Sequence, residues 1–225
     1  MKESMKRKSR ESGSAILELA IVFPFLTTLF FGTVALGIMM GRYIQAVQVA
    51  RDVAHMYSDG VDFSKPASQN IVLQLTAGTG MTAAGGNGVI ILSKVASIYQ
   101  ADCDAANFTN NCVNKNLPVF AQRVTIGNTG LRASFFGTPS AGILDAAGNI
   151  APSLYLQNTD ASVRTTNFET VLDDAVKRAT GSSPTPPAQA QGEVAYLCEV
   201  FFTYPDIGFL GTSTAGGAYA RFIFR

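Results

Sequence analysis

From Leu19 to Met40 the chain runs without a charged residue, and in the wider interval between Glu11 and Arg42 only Glu18 carries a charge. As a helix rising about 1.5 Å per residue, that apolar run is about 33 Å long, which matches the hydrocarbon core of a bilayer. A membrane-spanning helix is therefore the first constraint on the fold. Glu18 stands at the front of the span, where an ionised group is costly. A carboxylate at the centre of such a helix costs roughly 3 kcal/mol on insertion scales, less near the interface, so its default reading is functional. The plainer reading is an interfacial residue that reaches out to the headgroups.

The segment before the span is basic, with Lys2, Lys6, Arg7, Lys8 and Arg10 against Glu3 and Glu11. By the positive-inside rule the amino terminus is cytoplasmic and everything after Arg42 is extracytoplasmic. A cleaved secretory signal has the same charged-then-apolar order, but its apolar region holds about 7 to 15 residues. Here that region holds about 22 and includes Pro24. The formal net charge of the whole chain is +1. With the leader subtracted the remainder is slightly acidic, which leaves no electrostatic case for nucleic-acid binding.

About 180 residues follow the span, enough for one domain with its own core. Glycine is abundant, tryptophan is absent and charge is sparse. That composition favours a β-rich outer domain over a helical bundle. Cys103 and Cys112 flank an Asn-rich loop that a disulfide would close for roughly 2.5 kcal/mol in the chain-entropy model. Cys198 is then left over as a buried thiol, although pairing of either residue with Cys198 satisfies the sequence too. A single histidine, His55, and no CxxC pair argue against zinc, and no cofactor is expected.

The helix is expected to continue past the bilayer, because Tyr43, Val47, Ala50, Ala54 and Tyr57 recur at spacings of four and three, with Gly60 as a stop. One helix from Ser14 to near Ser58 follows. Gly37 and Gly41 form a GxxxG pair within it. A second helix is predicted from Pro66 to Ala77, with Ile71, Val72 and Leu75 on one side, and a glycine-rich loop from Thr76 to Gly88. Val89–Tyr99 and Pro118–Gly127 read as an antiparallel strand pair. Thr166 and Glu169 have capping-box spacing ahead of a helix over Asn167–Thr180, and Ser182–Gln191 reads as a loop. Val194–Tyr204 and Ala218–Phe224 are the strongest strands. In the first of them Val194, Tyr196, Cys198, Val200 and Phe202 share one face and Ala195, Leu197 and Phe201 the other, so both faces read as apolar and the strand as central. The fold class is thus α+β: a long N-terminal transmembrane and stalk helix followed by a small antiparallel β-sheet domain with one or two short helices.

The run Arg10-Glu11-Ser12-Gly13-Ser14-Ala15-Ile16-Leu17-Glu18-Leu19, continuing through Pro24 to Leu26, resembles the N-terminal motif of TadE-like pseudopilins of the tight-adherence pilus system. The likeness extends through Gly41-Arg42-Tyr43 and Ala50-Arg51-Asp52-Val53-Ala54, and departs in having Leu19 where many related sites have Tyr. The resemblance implies that a membrane-bound prepilin peptidase cuts between Gly13 and Ser14, making Glu18 the fifth residue of the mature chain. It further implies that Glu18 is a subunit-registering carboxylate that pairs with the freed amino group of a neighbour's Ser14. Residues 1–13 then form a leader, 14–41 a transmembrane helix, 42–60 its amphipathic extension and 61–225 an extracytoplasmic domain.

Enzymatic chemistry is not expected. His55 has no Cys or Ser motif beside it, and the adjacent Asp173 and Asp174 point about 100° apart on a helix. Gly85-Gly86-Asn87-Gly88 lacks the Lys of a phosphate loop. Phe201, Phe202, Phe209, Phe222 and Phe224 read as core. The leading functional expectation is a minor pseudopilin in assembly of a surface pilus, held in a bacterial cytoplasmic membrane by a single pass. Its expected partners are the prepilin peptidase, other pilin-like subunits, the pilus assembly platform and the membrane. The competing expectations are an uncleaved membrane-anchored adaptor of a related secretion apparatus and a tethered extracytoplasmic binding or hydrolytic domain.

Overall fold

The computed structural model describes residues 3–182, 192–204 and 216–225, with side chains from residue 15 onward. The expected loop over 183–191, the connection over 205–215 and Phe209 lie outside the described residues. Helix α1 runs over Glu3–Ser58 without interruption, eleven residues earlier than the expected start. No proline precedes Pro24, and the Lys, Arg, Glu and Ser of the leader are all compatible with a helix. Pro24 is held inside α1. At the other end Gly60 adopts φ +89, its N–H donates to Tyr57 O at 3.2 Å and the Val61 N–H reaches back to Met56 O at 3.0 Å. This pair of bonds closes the helix as a Schellman motif.

Helix α2 (Pro66–Leu75) follows, with Pro66 in its first turn. Val72 is buried whereas Ile71 and Leu75 are exposed, so the three do not share a buried side. The glycine-rich segment expected to be a loop contains a small hairpin, β1 (Met81–Thr82) paired with β2 (Gly85–Gly86). Strand β3 (Gly88–Ser97) pairs antiparallel with β4 (Pro118–Gly127), as their composition implies. The connection between them includes a short helix, α3 (Gln100–Ala105), for which the sequence reading made no provision. After α4 (Pro152–Gln157) and α5 (Phe168–Thr180), the chain returns as β5 (Val194–Thr203) and β6 (Gly217–Phe224).

The sheet order is β4-β3-β5-β6, antiparallel throughout, with Leu92 opposite Cys198 and Cys198 opposite Phe222. One layer packs α1 on the sheet. Ala46, Val49, Ala50, Val53, Ala54 and Tyr57 meet Ile90, Leu92, Cys198, Val200, Phe202, Ala218 and Ala220. Tyr43 and Val47, expected in this seam, are exposed. The buried stripe is one of small residues, Ala46, Ala50 and Ala54, which let the helix axis approach the strands. Each fully buried valine adds about 1.5–3 kcal/mol to that contact. On the opposite face Val95, Phe120, Ala195 and Leu197 are covered by Phe136, Ile150, Phe168 and Leu172. The central position of β5 follows.

The capping box at α5 does not form. Asn167 occupies the N-cap with φ 56 and no side-chain cap bond. Thr166 Oγ1 and Asn167 Nδ2 instead donate to Phe135 O at 3.4 and 3.1 Å, tying the start of α5 to the loop that covers the sheet. Tertiary hydrogen bonding here displaces the local pattern.

Candidate functional site

Helix α1 carries Gly13, Ser14 and Glu18. Among the described residues it is the helix long and apolar enough to cross a membrane. The threonine hydroxyls of its apolar run are satisfied within the helix: Thr27 donates to Phe23 O at 2.7 Å, Thr28 to Pro24 O at 2.8 Å and Thr33 to Phe30 O at 2.8 Å. Such internal bonding is what a lipid environment demands of polar groups. Glu18 is exposed on this helix, flanked by the exposed apolar side chains Ile16, Leu17, Leu19 and Ile21. Gly13 and Ser14 lie four to five residues upstream in the same continuous helix. Among the described residues, and apart from the helix's own backbone and the adjacent residues, nothing lies within 4 Å of where a Cβ would stand at Gly37 or Gly41.

Where the apolar span ends, Arg42 fastens the helix to the domain. Its Nη2 donates to Gly78 O at 2.8 Å and its Nη1 to Gln45 Oε1 at 3.2 Å, while Gln45 Nε2 donates to Ala77 O at 3.3 Å. The turn after α2 is thereby fixed beside the exit of the span. The sequence signal for this clamp was Arg42 itself, the first charge after the apolar run.

A second carboxylate escapes the sequence reading of β5 as apolar on both faces. Glu199 points to the face away from α1 and is only 2% exposed. Three donors meet it: Tyr219 Oη and the Phe135 N–H on Oε1, at 2.7 and 2.8 Å, and Ser134 Oγ on Oε2. Glu199 thus pins the 134–135 segment to the sheet. On the same face Arg123 is buried, its Nη2 donating to Gly137 O and its guanidinium 4.6 Å from the Phe120 ring centre. Burial lowers its pKa to about 10, the charge of Glu199 opposing that shift. Burial raises the Tyr219 phenol, with the bond to Glu199 adding to the effect. These groups form a framework for the loop rather than a reactive cluster.

Cys103 in α3 and Cys112 have their Cα atoms 5.8 Å apart and their sulfurs joined, while Cys198 is a buried thiol whose pKa burial pushes up. His55 is exposed; its Nδ1 lies 2.9 Å from Asp59 Oδ2, and its ring centre 5.1 Å from that of Phe224. Gly85 and Gly86 belong to the small hairpin. Asp173 is half-buried and Asp174 exposed on α5. An open concavity of about 350 Å³ lies beside α3 and α4; its Asp102 accepts the Tyr99 N–H at 2.8 Å as part of the α3 cap. Among the described residues no group of three or more His, Cys, Asp or Glu side chains is placed to hold a metal ion.

Residues 13–55 match the family model described as TadE-like protein, the family whose motif the N-terminal sequence resembles. The match begins at Gly13 and ends three residues before the end of α1, so it lies within the helix and stops short of the sheet domain. No curated protein and no solved structure matches the chain.

Proposed function

We propose that this chain is a membrane-anchored minor pseudopilin that acts in the assembly of a tight-adherence-type surface pilus. The observation that carries the reading is the coincidence of three things on one helix: the TadE-like match over 13–55, a bilayer-length apolar run and the charged Glu18 at its front. In this reading α1 crosses the bacterial cytoplasmic membrane once, with the basic leader inside. The prepilin peptidase removes residues 1–13, and Ser14 becomes a cationic amino terminus at the membrane edge. Glu18 of one subunit and Ser14 of the next then relieve each other's desolvation cost, which sets their relative height. The sheet domain, seated on the outer half of α1, faces the pilin-like subunits and the assembly platform.

The uncleaved adaptor is the second reading, and one observation favours it: α1 passes through Gly13 without a break, whereas a peptidase acts on extended backbone. Intact-mass measurement after co-expression with the cognate prepilin peptidase separates the two. A mature chain beginning at Ser14 is expected. Assembly-competent protein that still begins at Met1 overturns the pseudopilin reading in favour of the adaptor.

A further inference from the structure

We infer that the membrane-proximal base of the β domain is a lipid-contacting surface, formed by the end of α2, the following turn and the β1–β2 hairpin, and seated in the headgroup layer. The inference rests on α1 crossing the bilayer. Arg42 marks the end of the apolar span, and its bond to Gly78 O, with that of Gln45 to Ala77 O, holds the 77–78 turn at the same level. Helix α2 descends to this turn from the far end of α1, where Phe63 packs against Tyr57 with ring centres 6.1 Å apart. The hairpin lies across the near ends of β3 and β4: the Gly127 N–H donates to Ala83 O at 2.9 Å and Asn128 Nδ2 to Gly86 O at 3.3 Å.

The chemistry of this base is distinctive. From Pro66 to Ser93 no residue is charged. Leu75, in the last turn of α2, is 39% exposed, and Ile71 one turn above it is 46% exposed. Thr82, Ala83 and Ala84 at the hairpin tip are exposed, and Tyr43 is exposed beside Arg42. The next charge along β3 is Lys94, opposite Tyr196, whose ring centre lies 5.2 Å from that of Tyr57. Tyr57 stands about 22 Å along α1 from Arg42 at about 1.5 Å per residue. A neutral, partly apolar surface with a tyrosine at its rim enters the interfacial region without ion desolvation. Its attachment to the exit of the span dictates that lipid is the surface it meets.

The chain contains no tryptophan, so single-tryptophan reporters are clean. Full-length Leu75→Trp and Ala84→Trp, each in vesicles of phosphatidylcholine and phosphatidylglycerol with the phosphatidylcholine brominated near the top of its acyl chains, are compared with Asn110→Trp on the far loop and Phe23→Trp in the span. Both base reporters are expected to be quenched at least about twofold more than Asn110→Trp and to emit further to the blue, as interfacial indoles do. Quenching of Phe23→Trp alone leaves the span in lipid and overturns the base contact. Loss of quenching at Phe23→Trp removes the membrane-crossing premise, and the inference with it. A blue shift at Leu75→Trp that follows protein density rather than brominated lipid makes the face a contact between copies and overturns the assignment.

Discussion

Tyr219 donates its phenolic hydrogen to Glu199 Oε1 at 2.7 Å, diagonally across the β5–β6 pair in which Glu199 itself faces Arg221. With Ser134 Oγ and the Phe135 N–H also aimed at this carboxylate, Glu199→Ala leaves three donors without their acceptor inside the fold. The expected loss of unfolding free energy is about 3 kcal/mol, against about 1 kcal/mol for Tyr219→Phe, which removes a single bond. Urea unfolding of the full chain in detergent, followed by circular dichroism, measures both. Equal and negligible losses would show that the carboxylate does not hold the loop.

Alkaline pH should loosen the same domain. Cys198 is raised by burial and then by the charge of Glu199, Tyr57 by burial and then by Tyr196, and Tyr219 by burial and then by its bond to Glu199. Each unfolded counterpart loses its proton near its ordinary value, 9.0 for the thiol and 10.0 for the phenols, whereas the folded groups keep theirs. Their stabilisation is therefore complete below pH 9 and falls as pH rises through that range and beyond. Arg123 acts in the opposite sense, since its lowered pKa favours the folded state as pH climbs beyond about 10. The net expectation is a urea midpoint that declines above pH 9, with a shallower decline in Tyr219→Phe. A midpoint that rises over this range would contradict the assignment.

The elements legible in the sequence were those whose signal is local. Val89–Tyr99 and Pro118–Gly127 announce themselves by β-branched composition, and Gly60 by its place after an amphipathic seam; the structure has strands and a stop there. The β1–β2 hairpin and α3 escaped although they are local, whereas Glu199 and the start of α5 escaped because they depend on distant partners. Glu199 looks like an exception within an apolar strand until Ser134, Phe135 and Tyr219 converge on it. The Thr166–Glu169 spacing suggests a capping box, but Phe135 O captures Thr166 and Asn167. On α1 Ala50, Ala54 and Tyr57 are buried as the spacing implies, whereas the lower part of the seam is Ala46 and Val49 rather than Tyr43 and Val47, because the sheet position rather than the spacing alone selects which face is covered. At the N-terminal site the sequence supplied Gly13, Ser14 and Glu18 as a pattern, and the fold adds the helix that carries them and the Arg42 clamp that ends it.

The three cysteines should behave differently in protein purified from an oxidising compartment. Non-reducing peptide mapping is expected to find Cys103 joined to Cys112, and alkylation to reach Cys198 only after denaturation, because its side chain is fully enclosed. Reduction should lower stability by about 2.5 kcal/mol, the entropy released by opening so short a loop. Recovery of Cys198 in a disulfide peptide would overturn this arrangement without touching the proposed role in assembly.

Gly13→Ala should slow leader removal. Alanine favours the helix that runs through this position by about 1 kcal/mol over glycine, so the extended form open to a peptidase is depleted roughly fivefold. A Cβ also crowds the protease's approach to the backbone. The time course of mass loss in membranes containing the prepilin peptidase gives the rate. Processing at the parent rate would mean that helix unwinding at Gly13 does not limit the reaction.

Glu18→Ala separates insertion from association. Removing an ionisable group from the front of the span lowers an insertion cost of up to about 3 kcal/mol, so the variant should enter membranes as well as the parent or better. Association should fail instead, because the amino group of a neighbour's Ser14 would face apolar helices with no opposite charge. Glu18→Asp, which keeps the charge but shortens its reach, should restore part of what alanine removes. The measurements are membrane fractionation, crosslinking to other pilin-like subunits and a count of surface filaments, made on all three chains side by side. If Glu18→Ala inserts, crosslinks and supports filaments as the parent does, Glu18 is an interfacial residue and the register between subunits is set by the apolar faces of α1 alone.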